Sequence, residues 1–423
     1  MRRVSIDWTE PTEVARQILE AASDEAPNVD LEPIRKAVVE RGDEALTELT
    51  NRFDATDTGI DSVLVPGPDV AAAAASLSEE LKAAILVAIE NVTLVAEAQV
   101  RGGNTVVEMP QGHTVTVGET PVDSAAVYAP GGRKSYPSSV VMGAIPARVA
   151  GVRRIVLASP PGPDGLVDAV TLAAASLCGV DEVYAVGGAQ AIYGLAFGTE
   201  TIEPVEVIVG PGNTWVQAAK KDVFGIVGID SPAGPSDITV VIGPDVEPGP
   251  LALDLCAQAE HGQESPLTVI ALEGVDLEPL VTEVERVAGE HPTVNDCLFF
   301  TVEAPSRSEG LELLQSIAPE HLQLVGSAAE SLADDVTTAG CVFVGPYSAT
   351  AFGDYVAGSN HVLPTGASGK IFGPLSPSTF RRSTARVVLD EASAGALAGS
   401  VEALSGAEGL PVHGLSARSR APR

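Results

Sequence analysis

The run LALDLCAQAEHG (residues 251–262) is apolar enough for a half-buried helix, yet it carries Asp254, Gln258 and His261. On a continuous helix these positions follow i, i+4, i+7 spacing and share one face. Gln258 and His261, three apart, could both reach one metal ion. Asp354 in FGDYVAG, read as a Gly-flanked loop, could add a carboxylate, and His413 in LPVHG could complete the set. Oxygen and imidazole donors without thiolates suit zinc, and also manganese or cobalt. Only the pair three apart is local; the rest of the set depends on the fold. A second constellation is Glu320 and His321, adjacent in IAPEHL. Neighbours on a regular helix diverge by about 100°, so both serve one substrate only at a helix end or turn. Pro319 predicts a helix start there. The pair then reads either as a Glu complementing the helix dipole, which spacing alone favours, or as chemistry. In the second reading the carboxylate activates water and the imidazole moves a proton near neutral pH.

Three Gly-rich turns form a third group: VYAPGG (127–132), VGGAQAI (186–192) and VGPGN (209–213). Glycines let backbone amides approach a phosphate, and the last two turns open helices whose N-termini favour anions. None is a GxGxxG fingerprint or a P-loop. Each alone reads as an ordinary tight turn; three in one region make a nucleotide site an even alternative. Cys178, Cys256, Cys297 and Cys341 form no CxxC pair and lie in apolar surroundings, so they read as small buried hydrophobes. His113 and His291 sit in polar, turn-like sequence and read as surface residues.

The elements that must position these residues change along the chain. Residues 10 to 100 repeat apolar positions at three- and four-residue spacing, in EPTEVARQILEAAS, LEPIRKAVVERGDEALTELTNRF and SEELKAAILVAIENVTLVAEAQ. From about residue 122, β-branched runs ending in Gly or Pro alternate with Ala-rich helical runs. That alternation predicts an α/β fold with parallel sheets and crossover helices. The three turns then lie at carboxyl ends of strands, where open α/β sheets bind ligands. A second α/β stretch follows, with DITVVIG, LTVIALEG, CLFFTV and GCVFVG, and the tail after LSPSTF reads as helical.

At 423 residues the chain is long enough for more than one core. Its longest apolar stretches are too short or interrupted to span a bilayer, and MRRVSIDWTEPTE lacks the apolar core of a secretory signal, so a cytoplasmic location is expected. The formal charge of −32 repels phosphate backbones, which argues against nucleic acid and fits a halophilic cytoplasm.

The same stretches, in order, resemble the histidinol dehydrogenase family. The resemblance runs from GDEALTELTNRFD through VYAPGGRKSYPSSVVMGAIPARVAGV, GGAQAI, VGPGNTWVQAAK, GIDSPAGPSD, QAEHG, IAPEHL and GDYVAGSNHVLPT to AEGLPVHG. It implies oxidation of L-histidinol through histidinaldehyde to L-histidine, the last step of histidine biosynthesis, with two NAD⁺ reduced in sequence. It implies zinc, one per subunit, held by Gln258, His261, Asp354 and His413. These ligands with His321, Ser236 and Glu408 would meet substrate; Tyr128, Gln190 and Asn213 would contact NAD; Glu320 and His321 would be the proton-handling pair. Asp254 carries over as no ligand and is left a supporting or surface role. The implied fold is two Rossmann-like α/β domains with parallel-rich sheets, plus small helical N- and C-terminal segments, in an intertwined homodimer. The expected boundaries are residues 1–25 for the N-terminal segment and 26–127 with 238–376 for the metal and proton-handling domain. Residues 128–237 form the NAD domain and 377–423 a tail bringing Glu408 and His413 to the partner subunit. Gln323 stands where the family pattern has Glu, and GASGKIFGPLSPSTF diverges from it. Two alternatives are a dehydrogenase of this fold acting on another amino alcohol or a sulfonate, and a non-catalytic NAD- or metal-binding protein. Glu408 and His413 argue against the first, the Glu320–His321 pair against the second.

Overall fold

A computed structural model describes residues 1–22, 29–54, 57–100, 102–131, 134–232, 234–244, 246–272 and 274–422. The chain divides into a large unit, residues 1–99 and 123–380, and a small one, residues 100–122 and 381–423.

The large unit holds two six-stranded sheets. In the first, the strands run in the order Arg2–Ile6, Leu298–Glu303, Leu267–Ala271, Ile238–Ile242, His321–Val325, Cys341–Val344, all parallel. The central strands ITVVI, LTVIA and HLQLV are buried at every position, as parallel strands covered on both faces must be. One covering layer contains the helices Pro248–Ala259 and Glu278–Glu290, whose Leu251, Leu255, Leu280 and Val284 meet Val240, Val269 and Val325. The other contains Pro11–Ala22 and Arg307–Ile317, whose Ile18 and Leu313 meet Val241, Leu322 and Leu324. Side chains alternate along a strand. Leu322 and Leu324 therefore face one layer, and His321, Gln323 and Val325 face the helix that carries Gln258.

The second sheet runs Leu64–Val65, Glu182–Ala185, Arg154–Ser159, Ser124–Tyr128, Val207–Val209, Gly228–Ile229. All its pairings are parallel except that of Leu64–Val65. The connections step outward from Ser124–Tyr128 in one direction, then resume on its other side at Val207–Val209. The sheet's topological switch point lies between these two strands, beside Tyr128 and Gly210.

The strands are shared out differently from the expected boundaries. Leu64–Val65 and Ser124–Tyr128 lie in the second sheet, and the helices Glu32–Arg41 and Asp43–Phe53 pack on Gly188–Phe197 of that sheet. Arg2–Ile6 and Pro11–Ala22, expected as a separate segment, join the first sheet and its Arg307–Ile317 helix. An apolar stripe says that a helix is covered, without saying by what. The expected boundary at residues 25 and 26 lies outside the described residues.

The small unit pairs Thr114–Pro121 antiparallel with Arg381–Val388 on one side and Thr105–Glu108 on the other. Its helices Glu391–Ala407 and Pro411–Arg418 pack on each other. The first of them opens on a capping box, Asp390 with Ser393. The tail thus begins with a strand rather than a helix; β-branched Thr384, Val387 and Val388 suit the pleat.

Candidate active site

The first sheet brings the candidate acid–base pair, Glu320 and His321, together. Ile238 and His321 are register partners on neighbouring strands, so Ser236–Asp237 and Glu320 meet where the two strands begin. The Asp237 amide donates to Glu320 Oε2 (2.9 Å), and the Glu320 amide donates back to Asp237 Oδ1 (3.1 Å). The Asp237 carbonyl accepts from the His321 amide (3.2 Å) and lies 3.1 Å from His321 Nδ1. A carbonyl only accepts, so Nδ1 carries a hydrogen and Nε2 is the nitrogen turned to other partners. Asp354 Oδ1 lies 3.5 Å from Nε2, and Glu320 Oε2 is 3.6 Å from Nδ1. Pro319 does not start a helix: Ala318 takes the left-handed conformation that ends Arg307–Ile317, and a strand begins at His321. Extended backbone, rather than a helix end, brings Glu320 and His321 to one place.

Burial and neighbouring charges together set the ionisation here. Glu320 and His321 are 6% and 3% exposed. Burial pushes Glu320 up, against the opposing charge of His321. Burial pulls His321 down, but Glu320 and Asp354 outweigh it and raise the imidazole to about 9. Burial also works to raise Asp354, and the His321 contact overcomes it, leaving that carboxyl below its ordinary value. Asp237, half-buried and beside Glu320, rises to about 7, mainly because its charge is poorly solvated.

Gln258 is buried in the last turn of Pro248–Ala259, and its Nε2 donates to Ser236 Oγ at 2.7 Å. The same hydroxyl favours the charged form of the Glu320 carboxylate. His261 lies beyond the helix, whose C-cap is Glu260, and is exposed; its amide donates to the Gln258 carbonyl. The shared helical face therefore ends at Gln258. One turn earlier, Asp254 accepts from Gln323 Nε2 at 2.7 Å, a contact available because Gln323 faces this helix. Asp354 belongs to a short helix, Thr350–Tyr355, rather than a loop, and that helix packs against Pro248–Ala259. His261 is close enough to Glu320 and Asp354 for its charge to bias both. His361, which spacing did not single out as functional, places Nδ1 2.7 Å from the Asp354 carbonyl. Asp237 was likewise missed, since an acid after Ser in a turn has no periodic signature. Among the described residues, no three His, Cys, Asp or Glu are gathered into a ready metal cage.

The second sheet brings the three turns together at the carboxyl ends of its strands. The Tyr128 hydroxyl accepts from the Gly188 amide at 3.1 Å. Gln190, 1% exposed, lies with Nε2 3.4 Å from Asp54 Oδ2, which also faces the Gly187 amide at 3.3 Å. Burial raises Asp54 to about 6. Asn213 caps Thr214–Val223, its Oδ1 accepting from the amides of Trp215 and Val216. Gly132 of the first turn lies outside the described residues. In the small unit, Glu408 follows Glu391–Ala407, His413 lies in Pro411–Arg418, and both are exposed. The cysteines are free, three of them buried, and burial raises each thiol. No helix among the described residues is long and apolar enough to cross a membrane.

Comparison with known proteins points to one family. The family model described as histidinol dehydrogenase matches residues 19–421. A histidinol dehydrogenase of Parasynechococcus marenigrum is 41% identical over 92% of this chain and 89% of its own length. One of Haloarcula marismortui is 40% identical over 92% and 93%. The crystal structure of histidinol dehydrogenase from Elizabethkingia anophelis superposes with a TM-score of 0.91 at 29% identity, covering 99% of this chain and 98% of that one. The chain belongs to the histidinol dehydrogenase family.

Proposed function

We propose that the protein oxidises L-histidinol to L-histidine through histidinaldehyde, a four-electron reaction linked to NAD and dependent on zinc. The observation that carries this reading is the buried Glu320–His321 pair, bonded to Asp237 and flanked by Asp354. The donor set suits zinc. Gln258 spends its amide nitrogen on Ser236 and so has its oxygen left for a metal; Asp354 is held ionised; and the remaining donors are imidazoles. Gln258, His261, Asp354 and His413 are the proposed ligands. In a homodimer, His413 and Glu408 come from the partner subunit.

When bound, zinc would orient the substrate and NAD⁺ would take the hydride of each half-reaction. The chain's own groups handle the protons. His321 in its neutral form takes the alcohol proton on Nε2, with Nδ1 anchored on the Asp237 carbonyl. Two carboxylates hold His321 protonated at neutral pH, so it becomes a base only once one of them is neutralised or engaged elsewhere. Glu320 activates water against the aldehyde; its raised pKa brings it nearer the working pH than a surface carboxylate. Ser236, bonded to Gln258 and biasing Glu320 toward its charged form, links the metal set to the water-activating group and, with the metal ligands, His321 and Glu408, meets substrate. Tyr128, Gln190 and Asn213 bind NAD in the three turns. The first sheet thus supplies metal and proton-handling groups, and the second supplies the nucleotide site. The acidic surface suits a saline cytoplasm.

The test is metal-loaded protein with histidinol and NAD⁺ at high salt. Two NADH per histidinol, lost with a chelator and restored with zinc, is the expected result. No NADH from fully metallated, folded protein would refute the reading.

A further inference from the structure

Lys220 is 1% exposed and Asp230 6% exposed, and their charged atoms lie 2.5 Å apart. They enclose a single residue. Lys220 Nζ donates to the Gly210 carbonyl at 2.8 Å, and the Gly210 amide donates to Asp230 Oδ2 at 2.8 Å. The strand geometry explains how. Val207 and Ile208 are paired with Gly228 and Ile229, so the next residues, Val209–Gly210 and Asp230, run on side by side past the sheet. Lys220 lies in the helix Thr214–Val223, which opens directly after the turn. Helical side chains tilt toward the N-terminus, so the lysine reaches back to the turn from which its helix springs. Gly210 leaves the sheet with φ 117°, and a Cβ there would lie 2.1 Å from the Tyr128 carbonyl oxygen. Both of its polar backbone atoms are therefore satisfied by one buried ion pair, while it presses on Tyr128 and leads into Asn213.

We propose that Lys220 and Asp230 are positioning residues for the nucleotide: they fix the Gly210 peptide, and through it set Tyr128 and Asn213 as one surface for NAD⁺. The inference rests on the NAD reading of this turn. A buried pair that served stability alone could be replaced by well-packed apolar groups. Here each charge ends on the backbone of a turn that has to be one shape to be useful.

The experiment uses the metal-loaded full chain, with Lys220→Met and Asp230→Asn checked for fold by circular dichroism. NAD⁺ binding is measured by calorimetry, and histidinol binding on the same protein without NAD⁺. The dissociation constant for NAD⁺ is expected to rise by about ten-fold or more, with histidinol affinity changed by less than about two-fold. Asp230→Asn retains an acceptor for the Gly210 amide, so it should show the smaller change. Unchanged NAD⁺ affinity in a folded variant, or equal losses for both ligands, would overturn the proposal. So would failure of both variants to fold, which would make the pair a folding element. The wild-type protein separates this from the proposed function: if it binds no NAD⁺, the NAD reading itself is wrong; if it does and the variants match it, only the positioning role falls.

Discussion

His321 shows most sharply how a residue's neighbours set its work. Its imidazole is anchored on one nitrogen by a backbone carbonyl and faces a carboxylate with the other. His321→Asn should lower turnover by about 10²- to 10⁴-fold, the range for loss of a general acid–base group, while metal content and NAD⁺ affinity stay near wild type. Unchanged steady-state kcat would remove His321 from the chemistry. Glu320→Gln should separate the two half-reactions. NADH from the first oxidation should survive in single-turnover traces, while the second, which needs activated water, slows; equal loss of both would contradict the assignment. At this scale Gln258, His261, Asp354, Glu320 and His321 were all legible by residue type. Asp237 and His361 were not, because each contributes through a backbone contact that only a folded neighbour creates.

Elements were legible where period was strong and misread where punctuation misled. The helices Pro11–Ala22, Glu32–Arg41, Asp43–Phe53 and Glu79–Gln99 fall within the apolar repeats that predict them. Pro319 suggested a helix start, yet HLQLV carries the alternation of a strand with a polar residue on alternate positions, and the fold follows that alternation. The face so defined carries Gln323, whose amide holds Asp254 on the helix bearing Gln258. Gln323→Leu would leave the Asp254 carboxylate without this donor. Since Asp254 is partly exposed, the cost should be about 1 kcal/mol rather than the larger penalty of an enclosed group, read as a lower urea midpoint with unchanged m. Gln323→Glu would set two carboxyl groups together, so that one keeps its proton above the ordinary carboxylate range. A midpoint that falls no more steeply in Gln323→Glu than in wild type between pH 5 and 8 would contradict that coupling.

Across the molecule, charge and burial give stability a direction with pH. Asp54, Asp237 and His321 rise to about 6, 7 and 9, from ordinary values of 3.8, 3.8 and 6.5. Each keeps its proton in the folded chain at pH values where the unfolded chain has released it. The folded state then binds more protons, and stability falls as pH rises. For Asp54 and Asp237 this stabilisation is complete below about 4 and gone above about 6 and 7. For His321 it is complete below about 6.5 and lost through about 9. Asp354 runs the other way, its contribution disappearing only as pH drops beneath the usual carboxylate range. The net charge of −32 adds self-repulsion that salt screens. Thermal midpoints should therefore be higher at pH 6 than at pH 9, and should climb with added KCl at both; a midpoint indifferent to salt would refute the charge argument. Parallel sheets were legible from strand–helix alternation, whereas the allocation of helices between them was not, since coverage is a property of three dimensions.

The proposed proton-handling groups hang where strands of one sheet begin, Ser236–Asp237 and Glu320–His321, and the proposed nucleotide turns hang where strands of the other finish. On the proposed assignments, dinucleotide preference and proton handling are written in separate stretches of polypeptide. A library confined to residues 186–190 and 210–213 could retune the electron acceptor while the proton machinery is inherited intact.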